Sequence, residues 1–545
     1  MRASRAISLT LAIGLAAGGG PVAAEAPMSA IDWLSDSLRD APLAGLLPSD
    51  PGLPGPRGSA GLREGGQHPG FVDDSILLPE PGGGVITETI LVRPLDATTP
   101  DAAGLLSAAD AGFGRDFWGD TPAADAAAAL RAIDPAALPA VQALAITLLI
   151  AEFDPPPDSS ARGSLFLARI DKLLEFGALE PALALIETVG TENPELFRRW
   201  FDIALLLGTE DRACAGLRRR PDLTPSYAAQ VYCQARGGDW SAAALTLRTA
   251  EALALVSEAE VGLLTRFLDP EFETDEALPA AVLARPSPLM WRILEAIGEP
   301  LPTQGLPVAF AQAELRQTAG WRARIEAAER LARRGVLEPN RLLGLYTEGR
   351  ASASGGVWDR VASVRALEAA LDSGDAATIG LRLADAWTRM NEAELEVPFA
   401  QFLAPRLQGL NLEDGAARIA FKVGLIGPEP EAAASAYLAA YPSPRDGNEA
   451  RLHFLAGLAL GDPVRGVPPG DLGEAISEAF SMAPPARQEG IAPGPAVLAA
   501  MAELTEGARG DMRLVGQGLA GLRAAGQEHV ARKAALQLLV SDRRG

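Results

Sequence analysis

The most constraining feature of this sequence is a helical hairpin pattern that begins at Ser226. Ser226 to Arg236 has the apolar spacing of one helix, Gly237 to Asp239 forms a tight turn, and Trp240 to Ala250 has the spacing of a second helix. Ala243 and Ala244 place small side chains on the second helix where it must face the first. Two helices can approach closely at small residues, so the stretch predicts an antiparallel helical pair.

The same kind of turn recurs along the chain. Gly177 and Gly335 are each followed, within residues 173–185 and 331–343, by a Leu-Glu-Pro sequence. Glycine suits the left-handed position that ends a helix, and proline suits the first turn of the next one. Looser versions occupy residues 254–260 and 423–430. Hairpins that recur over so much of a chain predict an all-α fold, an irregular right-handed α-solenoid.

Composition supports helices and excludes two classes of partner. The chain has 545 residues, of which 48% are hydrophobic and 5% aromatic, and its formal net charge is −22. Because nucleic-acid binding needs a basic surface, this charge argues against a nucleic-acid partner. It argues equally against adhesion to anionic lipid and favours basic partners.

The first residues predict export. Arg2 and Arg5 precede a short apolar run, and small residues lead up to Ala24. This pattern is typical of a secretory signal peptide over residues 1–24, with cleavage between Ala24 and Glu25. No later segment reaches the ~18 apolar residues of a membrane-spanning helix, so we expect no integral membrane segment. We expect a Gram-negative periplasmic location.

Residues 25–100 predict a disordered tail that is rich in Pro and Gly. One alternating stretch within it, residues 85–92, predicts a short strand, which either lies on the helical body or pairs with a sheet edge of another protein. Phe113, Phe117 and Trp118 follow as an aromatic cluster. We expect this cluster to anchor onto the first helices, with a docking motif as the alternative.

The helical region divides into two parts at a flexible Ser/Gly sequence at residues 352–356. We therefore predict an N-terminal α-solenoid at 101–350 and a C-terminal one at 357–545. A second Pro/Gly interruption covers residues 484–495.

The two cysteines predict a disulfide. Cys214 and Cys233 lie on consecutive predicted helices, and an even pair in an oxidising compartment favours a bond between them. Two buried free thiols are the alternative. Histidine occurs at His68, His453 and His529 only, without metal-ligand spacing. We find no catalytic motif, so the prediction is no enzyme activity, no metal and no cofactor.

Five residues near the hairpin are candidates for partner binding. Arg218, Arg219 and Arg220 form a basic spot on an acidic chain, and exposed helix ends explain such a spot equally well. Tyr227 and Trp240 are aromatic residues that either pack in the hairpin or contact a partner.

Residues 227–253 resemble a tetratricopeptide-type hairpin, although the regular period of that repeat is absent. The whole chain resembles secreted Ala-rich helical proteins of alphaproteobacteria, which often have an antifreeze-related label and are sometimes associated with flagellar gene clusters. This resemblance rests on Ser226 to Ala250, Phe310 to Tyr346 and Ser354 to Trp358. It implies a role in the flagellar motor or in envelope assembly. Ice binding is not supported, because no Ala-Ala-Thr repeat is present.

These observations predict a non-enzymatic scaffold whose partner is another periplasmic or envelope protein, with no small-molecule substrate. The alternative is a cell-wall or polysaccharide-binding accessory protein, or a degenerate relative of the superhelical lytic transglycosylases. Convergent polar groups in one pocket would favour an enzyme, whereas a long groove would favour a scaffold.

Overall fold

The computed structural model describes residues 99–541, apart from 225, 270, 272–282, 352, 463, 464, 482 and 484–491. Within these residues, 23 α-helices provide nearly all of the regular structure, which confirms the predicted all-α class. Two short strands, β1 (Leu106–Ser107) and β2 (Ala151–Glu152), pair in parallel. The predicted signal peptide, its cleavage site at Ala24 and Glu25, and the predicted tail and strand before residue 99 lie outside the described residues.

The first nine helices pack mainly on their neighbours in the sequence. They are α1 (Ala123–Arg131), α2 (Pro139–Ile150), α3 (Ser164–Phe176), α4 (Leu179–Val189), α5 (Pro194–Leu207), α6 (Glu210–Arg219), α7 (Tyr227–Arg236), α8 (Trp240–Ala252) and α9 (Glu258–Leu268). Short 3₁₀ turns occupy Pro100–Ala102 and Pro221–Leu223.

The middle of the chain continues this packing, and α10 and α11 also contact α5. A second set of helices follows in the sequence, with a 3₁₀ turn at Val308–Phe310 after its first helix. This set comprises α10 (Pro288–Ala296), which precedes the turn, and then α11 (Ala311–Glu314), α12 (Trp321–Arg333), α13 (Pro339–Glu348), α14 (Val357–Ser373), α15 (Ala376–Glu392) and α16 (Glu396–Leu407).

The last helices return to the beginning of the chain. They are α17 (Asp414–Ile426), α18 (Pro430–Ala440), α19 (Gly447–Leu460), α20 (Gly470–Ser481), α21 (Pro493–Gly507), α22 (Met512–Ala524) and α23 (Glu528–Val540). Helix α21 packs on α1, and α23 packs on α2 as well as on α17, α19 and α22. Buried apolar residues from Ala108 to Val540 consequently form one continuous core.

The repeated turns have the predicted helix ends in two of four places. Gly177 and Gly335 take the left-handed conformation, with φ of +81° and +68°, after α3 and α12. At the third turn Ala254 takes that conformation, with φ of +52°. Gly427, at the fourth, is extended instead. A Cβ on Gly427 would lie 2.7 Å from the Cβ of Ala404, so close packing on α16 is the reason for glycine there.

The aromatic cluster packs on Phe153, just beyond α2 and β2, and it also contacts the far end of the chain. Its anchoring onto the first helices themselves stays a prediction. Phe117 is fully buried and stacks on Phe153 with 4.2 Å between ring centroids. Its carbonyl oxygen accepts a 2.8 Å hydrogen bond from the N–H of Gly494, in the first turn of α21. A Cβ on Gly494 would lie 2.8 Å from the Phe117 ring, so this close contact requires glycine at position 494.

Two buried cations on α3 cap the ends of its neighbours. Arg169 donates to the carbonyl oxygens of Leu149 and Ala151 at 2.8 Å, at the end of α2. Lys172 donates to the carbonyl of Ile133 at 2.8 Å, just after α1. Helix C-termini leave carbonyls unpaired and are negative, so buried cations are satisfied there. Burial lowers the pKa of Arg169 to about 10, which still leaves it charged at neutral pH.

A buried carboxylate, a tyrosine and an arginine recur as a set that joins three helices. Glu329 accepts a 2.8 Å hydrogen bond from the hydroxyl of Tyr346, and it forms an ion pair of 2.6 Å with Arg360. Burial and the Glu329 carboxylate raise the pKa of Tyr346 above its ordinary value, so Tyr346 stays a proton donor. An equivalent set consists of Glu210, Tyr232 and Arg292.

Candidate functional site

A pocket of about 410 Å³ lies between helices from the two ends of the described chain. We call it the seam pocket. Its walls come from seven places in the sequence: the start of α2, the start of α4, Gln312, the turn between α12 and α13, the start of α16, the end of α17, and α23. Lys533 and Gln537 on the last helix and Ala143 and Ile146 on the second helix line the same space.

Four of these wall segments are the first turns of helices, and each of these first turns contains a proline. Pro139, Pro181, Pro339 and Pro398 all line the pocket. The helices they belong to have no side-chain cap from their own N-cap residue. A first turn leaves backbone N–H groups without helical partners, and proline removes one of them. The repeated Leu-Glu-Pro turns of the sequence therefore meet at one site.

One of these first turns is capped from the opposite end of the chain. The side-chain Oε1 of Gln537 accepts a 2.9 Å hydrogen bond from the backbone N–H of Ala140. Gln537 keeps its Nε2 group for the pocket, since no other hydrogen bond of its side chain lies within the described residues. In Gln312 the two groups have opposite roles. Its Nε2 donates to the carbonyl of Gly177 at 2.8 Å, and its Oε1 remains available as an acceptor in the pocket.

The pocket has charges of both signs. Glu180, Glu338 and Arg341 are exposed at its rim, and Lys533 is half-buried. Within the described residues, no ion pair of 4.0 Å or less joins any of these four to another side chain. Four helix N-termini contribute roughly +0.5 charge each, which the carboxylates at the same turns offset.

The lining of the pocket is mainly aliphatic. Among the described residues that form the pocket, most are Pro, Ala, Gly, Val, Leu or Ile, and the polar ones are Gln, Glu, Arg and Lys. A Ser, Thr or Cys nucleophile beside a His base, which hydrolytic sites commonly use, is absent from this lining. No group of three or more His, Cys, Asp or Glu in the described chain has the arrangement of a metal site.

The predicted disulfide joins the hairpin of α7 and α8 to the preceding helix, α6. Cys214 on α6 and Cys233 on α7 are bonded, with 4.8 Å between their Cα atoms, and both are buried. Arg218 on α6 donates to the carbonyl of Cys233 at 3.1 Å and lies against Gly237, so it connects α6 to the end of α7. Arg220 forms an exposed ion pair of 2.9 Å with Asp222.

The remaining predicted contact residues do not converge on the seam pocket. Arg219 lines a shallow hollow beside Trp200 and Arg212. Tyr227 is half-buried at the start of α7, whereas Trp240 is 51% exposed and lies near the ring of Phe267. Their role in partner binding stays a prediction. No helix of the described chain combines the length and apolar character needed to cross a membrane.

Comparison with protein-family models, curated proteins and solved structures gives no match. The site is therefore judged on its own geometry. Sequence reasoning identified the Leu-Glu-Pro turns as helix boundaries and missed that they share one pocket. The available indication was the glutamate that recurs before the proline in both turns, Glu180 and Glu338, because both side chains line the pocket.

Proposed function

We propose that this chain is a non-enzymatic scaffold exported to the periplasm, which holds a segment of another envelope protein in the seam pocket. In this proposal the hairpins form an irregular, right-handed, tetratricopeptide-like α-solenoid whose two ends meet. The observation that supports it best is the pocket itself. It combines an aliphatic wall with carboxamides and with charges of both signs, of which Glu180, Glu338, Arg341 and Lys533 form no ion pair within the described residues.

Two features favour a protein over a polysaccharide as the partner. The described lining has no aromatic side chain, so a sugar ring would find no flat apolar face on which to pack. Polypeptide segments, in contrast, present aliphatic side chains next to amides, which match this lining. The cell-wall alternative has no comparable support.

The location rests on sequence and on the disulfide. Residues 1–24 have the pattern of a signal peptide, and the Cys214–Cys233 bond suits an oxidising compartment. The resemblance to secreted helical proteins of alphaproteobacteria favours a partner in the flagellar motor or the envelope assembly machinery.

Photo-crosslinking in living cells tests this function. A photoreactive amino acid replaces Gln401, which is exposed at the pocket, and the matched control replaces Gln517, which is exposed on α22. We expect one envelope protein to be captured from position 401 and not from position 517. The proposal fails if position 401 captures no protein and deletion of the chain leaves motility and envelope integrity unchanged.

A further inference from the structure

We infer that the occupant of the seam pocket is an extended peptide segment with an aliphatic anchor residue, and that its binding holds the last helix against the second. This inference rests on the proposed function and deepens it, because it specifies the chemistry of the bound segment and the mechanical consequence of binding.

The size and stiffness of the pocket fit a short peptide. Its volume of about 410 Å³ lies within the range of roughly 300–1,000 Å³ that ligand pockets usually have. Pro139, Pro181, Pro339 and Pro398 form much of the wall, and proline fixes its own backbone angle. Binding to a wall that is already rigid loses little conformational freedom, so an apolar anchor side chain is held efficiently.

The polar groups match a peptide backbone. An extended segment presents N–H donors and C=O acceptors in alternation. Gln401 is exposed and offers both a donor and an acceptor, Gln537 offers its Nε2 donor, and Gln312 offers its Oε1 acceptor. These three carboxamides lie on α16, α23 and α11, so they surround the space and can contact different peptide groups.

The charges favour a peptide over a small anion. Four helix N-termini, Arg341 and Lys533 would attract a phosphate, but Glu180 and Glu338 occupy the same rim. A small anion would have to sit beside these carboxylates, which repel it. A peptide with little net charge meets donors, acceptors and both signs of charge without this cost.

Binding and closure are linked because the walls come from both ends of the chain. Ala143 and Ile146 belong to α2, while Lys533 and Gln537 belong to α23. A segment that contacts both helices binds only when they are together, so it must stabilise their contact. The bound peptide therefore stabilises the packing of α23 on α2, and hydrogen exchange at the start of α2 should slow when the peptide binds.

Phage-displayed random heptapeptides, selected on the purified mature chain, provide the probe. Enriched peptides are synthesised with a fluorescent label, and their Kd is measured by anisotropy for wild type and two matched variants. Ala143→Trp fills the pocket, whereas Ala244→Trp makes the same change at an exposed position of α8. Contrary to the prediction from the sequence, only Ala243 of the pair Ala243 and Ala244 is buried. Gln401→Trp is the second blocking variant, used if circular dichroism shows that Ala143→Trp is misfolded.

We expect the enriched peptides to share an aliphatic residue and to lose at least tenfold in affinity for the blocked pocket, with less than twofold change for Ala244→Trp. We also expect slower exchange at the start of α2 and in α23 around Lys533 and Gln537 in the complex, and no competition by 10 millimolar phosphate. Equal affinity for both variants, no enriched peptide, or displacement by phosphate would overturn the inference. If position 401 still captures a protein in cells, the scaffold function survives that failure and only the peptide claim is lost.

Discussion

The Oε1 atom of Gln537 accepts a hydrogen bond of 2.9 Å from the N–H of Ala140, a residue 397 positions earlier in the chain. This contact is buried and joins the last helix to the first turn of α2. A first turn usually takes its cap from the residue just before it, but here that residue is Leu138, which has no acceptor side chain. The opposite end of the chain supplies the cap, so the stability of α2 depends on its contact with α23.

We expect Gln537→Ala to lower the free energy of unfolding by about 1–2 kcal/mol, because it removes a helix cap and leaves a buried N–H without a partner. Gln517→Ala is the control. It removes an exposed hydrogen bond to Arg513 and should change stability by less than about 0.5 kcal/mol. Urea denaturation measures both. Equal effects would mean that Gln537 does not cap α2.

The Cys214–Cys233 bond should contribute about 3 kcal/mol, since it closes a loop with a sequence separation of 19. We expect the paired Cys214→Ser and Cys233→Ser variant to lose this stability and to become insensitive to reductant. The measurement is denaturation with and without dithiothreitol. Thiol labelling of two free cysteines in the native, unreduced protein would contradict the bond.

Removal of one partner from the buried set of Glu329, Tyr346 and Arg360 should lower the free energy of unfolding. Arg360→Met leaves the Glu329 carboxylate buried with much less compensation, and we expect a loss of about 3–5 kcal/mol. Arg322→Met is the matched control, because Arg322 pairs with Glu326 at 2.8 Å on the surface. That loss should stay below about 1 kcal/mol. Similar losses for the two variants would show that burial does not determine the strength of these pairs.

Asp202 gives a prediction for the dependence of stability on pH. Its side chain is 1% exposed, neither carboxyl oxygen has a hydrogen-bond partner in the described chain, and burial raises its pKa well above the ordinary value of 3.8. The unfolded chain ionises first as pH rises. Asp202 therefore supports the folded state below pH 3.8, and this contribution is lost as pH rises toward the folded pKa.

We expect Asp202→Asn to be more stable than wild type at pH 7.5, by at least about 1 kcal/mol, and the gain to shrink as pH falls to 4. The comparison uses denaturation of both proteins at each pH, which cancels the titration of all other groups. A variant that is less stable at pH 7.5 would indicate that Asp202 is ionised in the folded protein.

The local features of this fold could be predicted because they depend on neighbouring residues. Gly177 and Gly335 end helices, the two cysteines are bonded, and Phe117 is buried. Helix α16 was not predicted, because Pro398 and Pro405 obscure its pattern. Helix α21 begins at Pro493, within the predicted interruption, because proline opens this helix in its first turn.

The seam pocket could not be predicted from the sequence for a different reason. Its walls combine residues that are hundreds of positions apart, such as Ala143 and Lys533, and no periodic pattern relates them. Likewise, nothing local to Gln537 indicates that Ala140 is its partner. The sequence predicts each helix and its ends, while the way in which the last helix meets the second depends on the sum of all the packing angles between them.

The most direct test of this account is the crosslink from position 401, repeated in cells whose chain also has Ala143→Trp or Ala244→Trp. We predict that the captured envelope protein disappears with Ala143→Trp and remains with Ala244→Trp, because only the first substitution fills the seam pocket. Capture of the same protein in equal amount from the Ala143→Trp chain would show that the partner binds elsewhere and would contradict the account.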